Sequence, residues 1–127
     1  MERDMRVLVT GGRDWKDKSE VWCALDTVAD EYHGSEIQVV VGDCKTGADK
    51  FASTWGALEP EVYEADWDRH HLQAGPRRNT KMVESGADIC LAFWDGDSRG
   101  THDCIQKAVR AGIPVRIYPV CDGERET

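Results

Sequence analysis

The stretch Met5-Arg6-Val7-Leu8-Val9-Thr10, followed by Gly11-Gly12-Arg13-Asp14-Trp15, decides how the rest of this 127-residue chain is read. The run is mostly apolar and β-branched, without the polar–apolar alternation of a half-exposed strand. It therefore predicts a strand buried on both faces, which belongs in a parallel sheet covered by helices. The adjacent glycines end it. Working outward, Asp17 stands three residues before Glu20, the spacing of a capping box. Val21, Trp22, Leu25, Val28, Ala29 and Tyr32 then fall on one helical face, and Gly34 reads as a stop. Ile37 to Val41 is a second apolar run, ended by Gly42.

The same alternation continues to the end. Residues 48–58 predict a helix carrying Phe51, Ala52 and Trp55 on one side, and residues 61–65 predict a weaker strand. Between Leu72 and Ser85 the pattern is mixed, and Pro76 limits where a helix can begin, so a helix is predicted over about 77–85. Residues 88–94 predict a fourth strand and 101–111 a helix, stopped by Gly112 and Pro114. Residues 115–118 predict a fifth strand. Strand and helix in strict alternation imply an α/β fold. The expected form is a single Rossmann-like, doubly wound, mostly parallel five-stranded sheet with helices on both faces. The domain is expected over 1–120, with 121–127 as a flexible tail.

Composition narrows the functional classes. Sixteen basic against 24 acidic residues give a net charge of −8, which repels nucleic-acid backbones and anionic lipid. No apolar run approaches the roughly 20 residues of a membrane helix. The start, Met1-Glu2-Arg3-Asp4, has no signal-peptide pattern, so a cytoplasmic protein is expected. Cys23, Cys44, Cys90, Cys104 and Cys121 are odd in number, scattered and without a CxxC pair. They read as small buried hydrophobes, with neither a disulfide framework nor a zinc site. His70-His71 are adjacent and so point in different directions, which disfavours a metal site. No metal and no cofactor are expected.

In doubly wound sheets ligands bind beyond the carboxyl ends of the strands. In this chain those positions hold the chemistry. After the first strand, Gly11 and Gly12 let backbone amides approach a ligand, Arg13 offers a phosphate fork, Asp14 a ribose contact and Trp15 a stacking face. The alternative is a tight turn with a surface arginine and a packed tryptophan. After the second strand, Gly42-Asp43-Cys44-Lys45-Thr46-Gly47-Ala48-Asp49 starts like a P-loop, but Ala48-Asp49 stands where Lys-Ser/Thr is required. What remains is a loop of amides feeding a helix, with Asp49 either capping that helix or meeting a ribose hydroxyl. After the third strand come Trp67, a second stacking candidate, and Arg77-Arg78-Asn79 beside Gly75-Pro76. These read as an anion clamp or a solvated charge pair. After the fourth, Gly96, Gly100 and Thr101 form another glycine loop at a helix start, with Thr101 a possible N-cap. Together the loops describe a site for a phosphate-bearing, nucleoside-containing small molecule.

At these residues the sequence resembles the small YspA-like branch of the SLOG superfamily, a Rossmann-like group that includes the DprA/Smf proteins and the LOG enzymes. The matching blocks are residues 7–15, Gly42 with 46–49, 65–67, 74–82, 86–88, 91–93, 100–101 and 111–115. The resemblance implies a nucleotide-derivative pocket and self-association, as a dimer or tetramer. Small members are common in bacterial and phage genomes. LOG enzymes cleave a nucleotide's glycosidic bond with an Arg and with a Glu in a PGGxGTxxE motif. Here the glycines are spaced one residue wider, Cys104 takes the Glu position, Asp103 lies one place earlier, and Arg77 or Arg78 matches the Arg. Two functions follow. One is a sensor or sequestering module for a nucleotide-derived ligand. The other is a nucleotide N-glycosidase or phosphoribohydrolase, with Asp103 or Asp49 as its carboxylate. DNA handling, by analogy with DprA, is disfavoured by the acidic charge.

Overall fold

The computed structural model describes residues 5–32, 35–56 and 59–119. Its central element is β1 (Met5–Gly11), followed by α1 (Lys18–Glu31), β2 (Ile37–Gly42), α2 (Gly47–Ser53) and β3 (Glu61–Tyr63). Then come a short α3 (Trp67–His70), a 3-10 turn (His71–Gln73), α4 (Ala74–Glu84), β4 (Ile89–Phe93), α5 (Arg99–Arg110) and β5 (Val115–Tyr118). The strands form one sheet in the order β3-β2-β1-β4-β5. Every pairing is parallel, with Val7 opposite Val39 and Ile89, and Ala92 opposite Ile117. The order reverses between β1 and β4, which makes that junction the switch point.

The uniform apolarity of β1 follows from its place. Val7 and Val9 point into a core with Val21, Leu25 and Val28 of α1 and Ala48 and Ala52 of α2. Leu8 points into a second core with Met82 and Val83 of α4 and Cys104 and Ala108 of α5. Both faces of the sheet are thus covered. Truncating a side chain such as fully buried Leu8 to Ala should cost about 2–5 kcal/mol. Cys90 and Cys104 are the small buried hydrophobes expected, whereas Cys23 is exposed and Cys44 half-buried. The expectation for Cys121, like those for Gly34 and the 121–127 tail, falls outside the described residues.

Helix starts follow local chemistry. The Asp17 carboxylate accepts from the Glu20 backbone N–H at 3.0 Å and caps α1. Two predicted helix starts are corrected. α4 begins at Ala74, not near 77, because Pro76 is its third residue, where the backbone N–H has no intrahelical partner to lose. α5 begins at Arg99 with Ser98 as N-cap, not Thr101. The Ser98 hydroxyl accepts from the Thr101 backbone N–H at 3.3 Å. The segment 67–73, without periodicity in sequence, adds a short helix capped by Asp66, which accepts from the Arg69 N–H at 3.1 Å. α2 ends at Ser53, short of the predicted 58, and β3 stops at Tyr63.

One position ties the loops to the core. A Cβ on Gly11 would lie 2.5 Å from Ala48 Cβ and 2.9 Å from the Phe93 carbonyl oxygen, whereas one on Gly100 would meet nothing. Gly11→Ala should therefore lose about 1–3 kcal/mol. Gly100→Ala, inside a helix, should lose nothing and gain up to about 1 kcal/mol. Urea unfolding of the two variants checks the contrast; equal stability would contradict it.

Candidate functional site

The carboxyl ends of β1 and β2, the start of α2, the segment 67–73, one face of α4 and the N-terminal half of α5 enclose a cleft of about 480 Å³. That is the size of a small-molecule site, and it opens beside the switch point. On one wall, Arg78 of α4 reaches over Gly42 and donates from Nη1 to Asp43 Oδ1 at 3.0 Å, while its Nε donates to Asn79 Oδ1 at 3.0 Å. A side chain at position 42 would force the Arg78 guanidinium to shift. A Cβ at position 42 would lie 2.9 Å from Arg78 Cζ and 3.0 Å from Asp49 Oδ2.

Asp49 sits in the first turn of α2 and lines the cleft, yet is only 8% exposed. Burial pushes its carboxyl up to about 7. Arg78 and the Cys44 backbone N–H oppose the rise, and the neighbouring Asp43 charge adds to it. Beside Arg78 on α4, Asn79 is buried and its Nδ2 donates to the Gly100 carbonyl and to Asp103 Oδ2, both at 3.1 Å. Lys107 Nζ donates to the same Asp103 oxygen at 2.8 Å and to the Pro76 carbonyl at 2.7 Å. α4 and α5 are thereby clamped to each other around Asp103. Cys104 is fully buried and contacts Thr10, and burial pushes its thiol up to about 11. Cys104 is thus a protonated thiol in the core.

The structure brings Gly11, Arg13, Gly42, Asp49, Trp67, Arg78, Asn79, Gly100, Thr101 and Asp103 to this one cleft. It places the remaining sequence candidates elsewhere. Trp15 packs its ring 5.7 Å from that of Phe93 and donates from Nε1 to the Asp17 carbonyl. The Gly12 carbonyl accepts from the Ala48 N–H at 3.4 Å, and Thr46 Oγ1 donates to the Arg13 carbonyl at 3.0 Å. Gly47 (φ +74°) and Ala48 are therefore buried against the first loop, and the Ala48 amide already has its partner. Asp14, Lys45 and Arg77 are exposed and away from the cleft. Gly96 lies in a shallower depression with Trp94, Asp97 and His102.

The cleft also holds residues that the sequence reading did not single out: Thr10, Cys44, Leu72, Gly75, Pro76, Met82, Ser98 and Arg99. Ser98 and Arg99 sit within the glycine loop already marked, and Gly75-Pro76 beside the arginine pair, so their loops carried a signal. Leu72, 87% exposed at the mouth, carried none.

A sequence profile of the YspA, cpYpsA-related SLOG family (YAcAr) matches residues 5–70. That span runs from β1 to α3 and takes in Gly11, Arg13, Gly42, Asp49 and Trp67. The Gene 61 protein of Mycobacterium phage D29 is 46% identical to this chain over 119 residues, covering 87% of this chain and 93% of that protein.

The raised carboxyl has a stability consequence whose sign is fixed. Below the unfolded value of 3.8, Asp49 is protonated in both states and costs nothing. Between there and about 7 the unfolded chain ionises first, so folding loses stability as pH rises. Asp49→Asn should therefore stabilise the protein by about 2–4 kcal/mol at pH 8 and by close to zero at pH 4. Urea unfolding at both pH values tests this; a gain of equal size at pH 4 would contradict it.

Proposed function

The chain belongs to the YspA, cpYpsA-related SLOG family, and on that premise we propose that it binds a phosphate-bearing nucleotide or nucleotide-derived small molecule in this cleft, as a sensor or sequestering module. The observation that carries the reading is the placing of Arg13 and Arg99. Both are exposed and both line the cleft, Arg13 on the loop after β1 and Arg99 as the first residue of α5 after β4, on either side of the switch point. Arg78 is engaged with Asp43, so among the described residues that line the cleft Arg13 and Arg99 are the cations left to meet phosphate. The positive end of the α5 dipole adds to them. Across the mouth, the half-exposed indole of Trp67 with Leu72 and Met82 supplies an apolar wall for a base. Asp103 is an acceptor for a ribose hydroxyl, and Asp49 is a second carboxyl within reach of the ligand.

A second reading, a nucleotide N-glycosidase or phosphoribohydrolase, is favoured by one observation: two carboxyl groups in different environments line one cleft. Asp49 is pushed toward neutrality by burial, and Asp103 is held in an ion pair by Lys107. The proposal also includes a cytoplasmic homo-oligomer. Exposed Val62 on the edge strand β3 and Ile117 on the edge strand β5 support self-association. Among the described residues no helix is long and apolar enough to cross a membrane. The acidic net charge argues against nucleic acid as partner.

Native mass spectrometry with mono-, di- and cyclic nucleotides and ADP-ribose should show an intact ligand retained, and should report the number of subunits. Arg13→Ala and Arg99→Ala should each weaken binding roughly tenfold or more, because each removes a charge-assisted contact. Arg77→Ala should leave affinity within about twofold, as expected for an exposed charge outside the site. Unchanged affinity in both cleft variants would refute the assignment. Free base appearing in the chromatogram would select the second reading, and its loss in Asp103→Asn would place that carboxylate in the reaction.

A further inference from the structure

We propose that Asp49 meets the anionic ligand as a neutral carboxylic acid, its O–H donated to a ligand oxygen, so that the cleft takes up ligand together with up to one solvent proton. This deepens the proposed function and rests on it: it names how the same site selects an anion.

The geometry carries the argument. Asp49 lines the cleft while almost wholly buried. Among the described residues no cation lies within salt-bridge distance of it. Arg78, the guanidinium that faces it from α4, turns Nη1 to Asp43 and Nε to Asn79. The loop after β2 presents the like charge of Asp43 and the donating N–H of Cys44. From α5 it is faced by the protonated Cys104 thiol and, across the cleft, by Asp103, whose charge is held by Lys107. Arg13 and Arg99 stand at the cleft with exposed side chains.

An anion drawn in by those two arginines brings a negative charge toward Asp49. An ionised carboxylate has only acceptors and would set oxygen against oxygen, whereas the neutral acid has a donor to offer. The burial that already lifts Asp49 to about 7 means that protonation at neutral pH is nearly isoenergetic in the free protein. A bound anion raises it further, since like charge disfavours the ionised form. A neutral ligand of the same shape has no such effect, and this makes Asp49 a specificity-determining residue.

The test follows the Asp49 side-chain carboxyl by carbon-13 NMR, free and with saturating ADP-ribose, whose pyrophosphate does not titrate between pH 6 and 9. The resonance is assigned by its loss in Asp49→Asn. In the free protein it should titrate near neutrality, and ADP-ribose should move its midpoint up by at least one unit. Wild-type affinity should then fall at least about tenfold from pH 6 to pH 9. In Asp49→Asn, where a neutral amide replaces the acid, the fall should be less than twofold. A free-protein midpoint in the ordinary carboxylate range overturns the inference, and the wild-type titration needs no variant to show it. If ADP-ribose shifts the Arg13 and Arg99 resonances but leaves the Asp49 midpoint unmoved, the inference fails and the proposed function stands. If neither ADP-ribose nor AMP shifts any cleft resonance, both fail.

Discussion

Strand β1 is buried on both faces, and the rest of the molecule is arranged to keep it so. Its odd-numbered residues Val7 and Val9 need α1 and α2, and Leu8 needs α4 and α5. Parallel strands can be joined only by crossovers, so the chain lays β2 and β3 on one side of β1, then returns over the other face to place β4 and β5. The reversal leaves the loops after β1 and β4 diverging, and the cleft lies between them. The site is thus a by-product of covering one strand, and its residues sit on elements that packing already holds.

Within the cleft, close backbone approach decides what the side chains can do. Gly42 lets Arg78 cross to Asp43 and leaves Asp49 buried behind it. Gly11 lets α2 pack on β1, and that packing commits the Ala48 amide to the Gly12 carbonyl. Asn79, Asp103, Lys107 and the Pro76 carbonyl lock α4 to α5. The result is a division of charge. Carboxyl groups and the internally paired Arg78 line the walls, while Arg13 and Arg99 keep exposed guanidinium groups.

Much of this was legible in the sequence because burial on two faces leaves a plain signature. The apolar runs at Met5–Gly11 and Ile89–Phe93 and the capping carboxylate of Asp17 read directly as strands and a helix start. The loops that follow the strands were legible too, since the fold class says where ligands bind. What was not legible turns on direction. Arg77 and Arg78 are neighbours in sequence but about 100° apart on a helix, so only packing shows which one faces the cleft. Trp15 and Trp67 were equivalent stacking candidates until Phe93 claimed the first. The Ala48 amide looked free until its partner came from a loop 36 residues earlier. Leu72 lies in a segment without periodicity, held at the mouth by a 3-10 turn that no local pattern announces.

The most direct test of the central claim, that the switch-point cleft is where a ligand binds, is amide chemical-shift mapping of the nitrogen-15-labelled protein titrated with AMP and ADP-ribose. The account predicts saturable shifts centred on Gly11, Arg13, Gly42, Arg78, Asn79 and Gly100. A response centred instead on the depression around Trp94, Gly96 and His102, or on the α1 surface around Lys18 and Trp22, would contradict it.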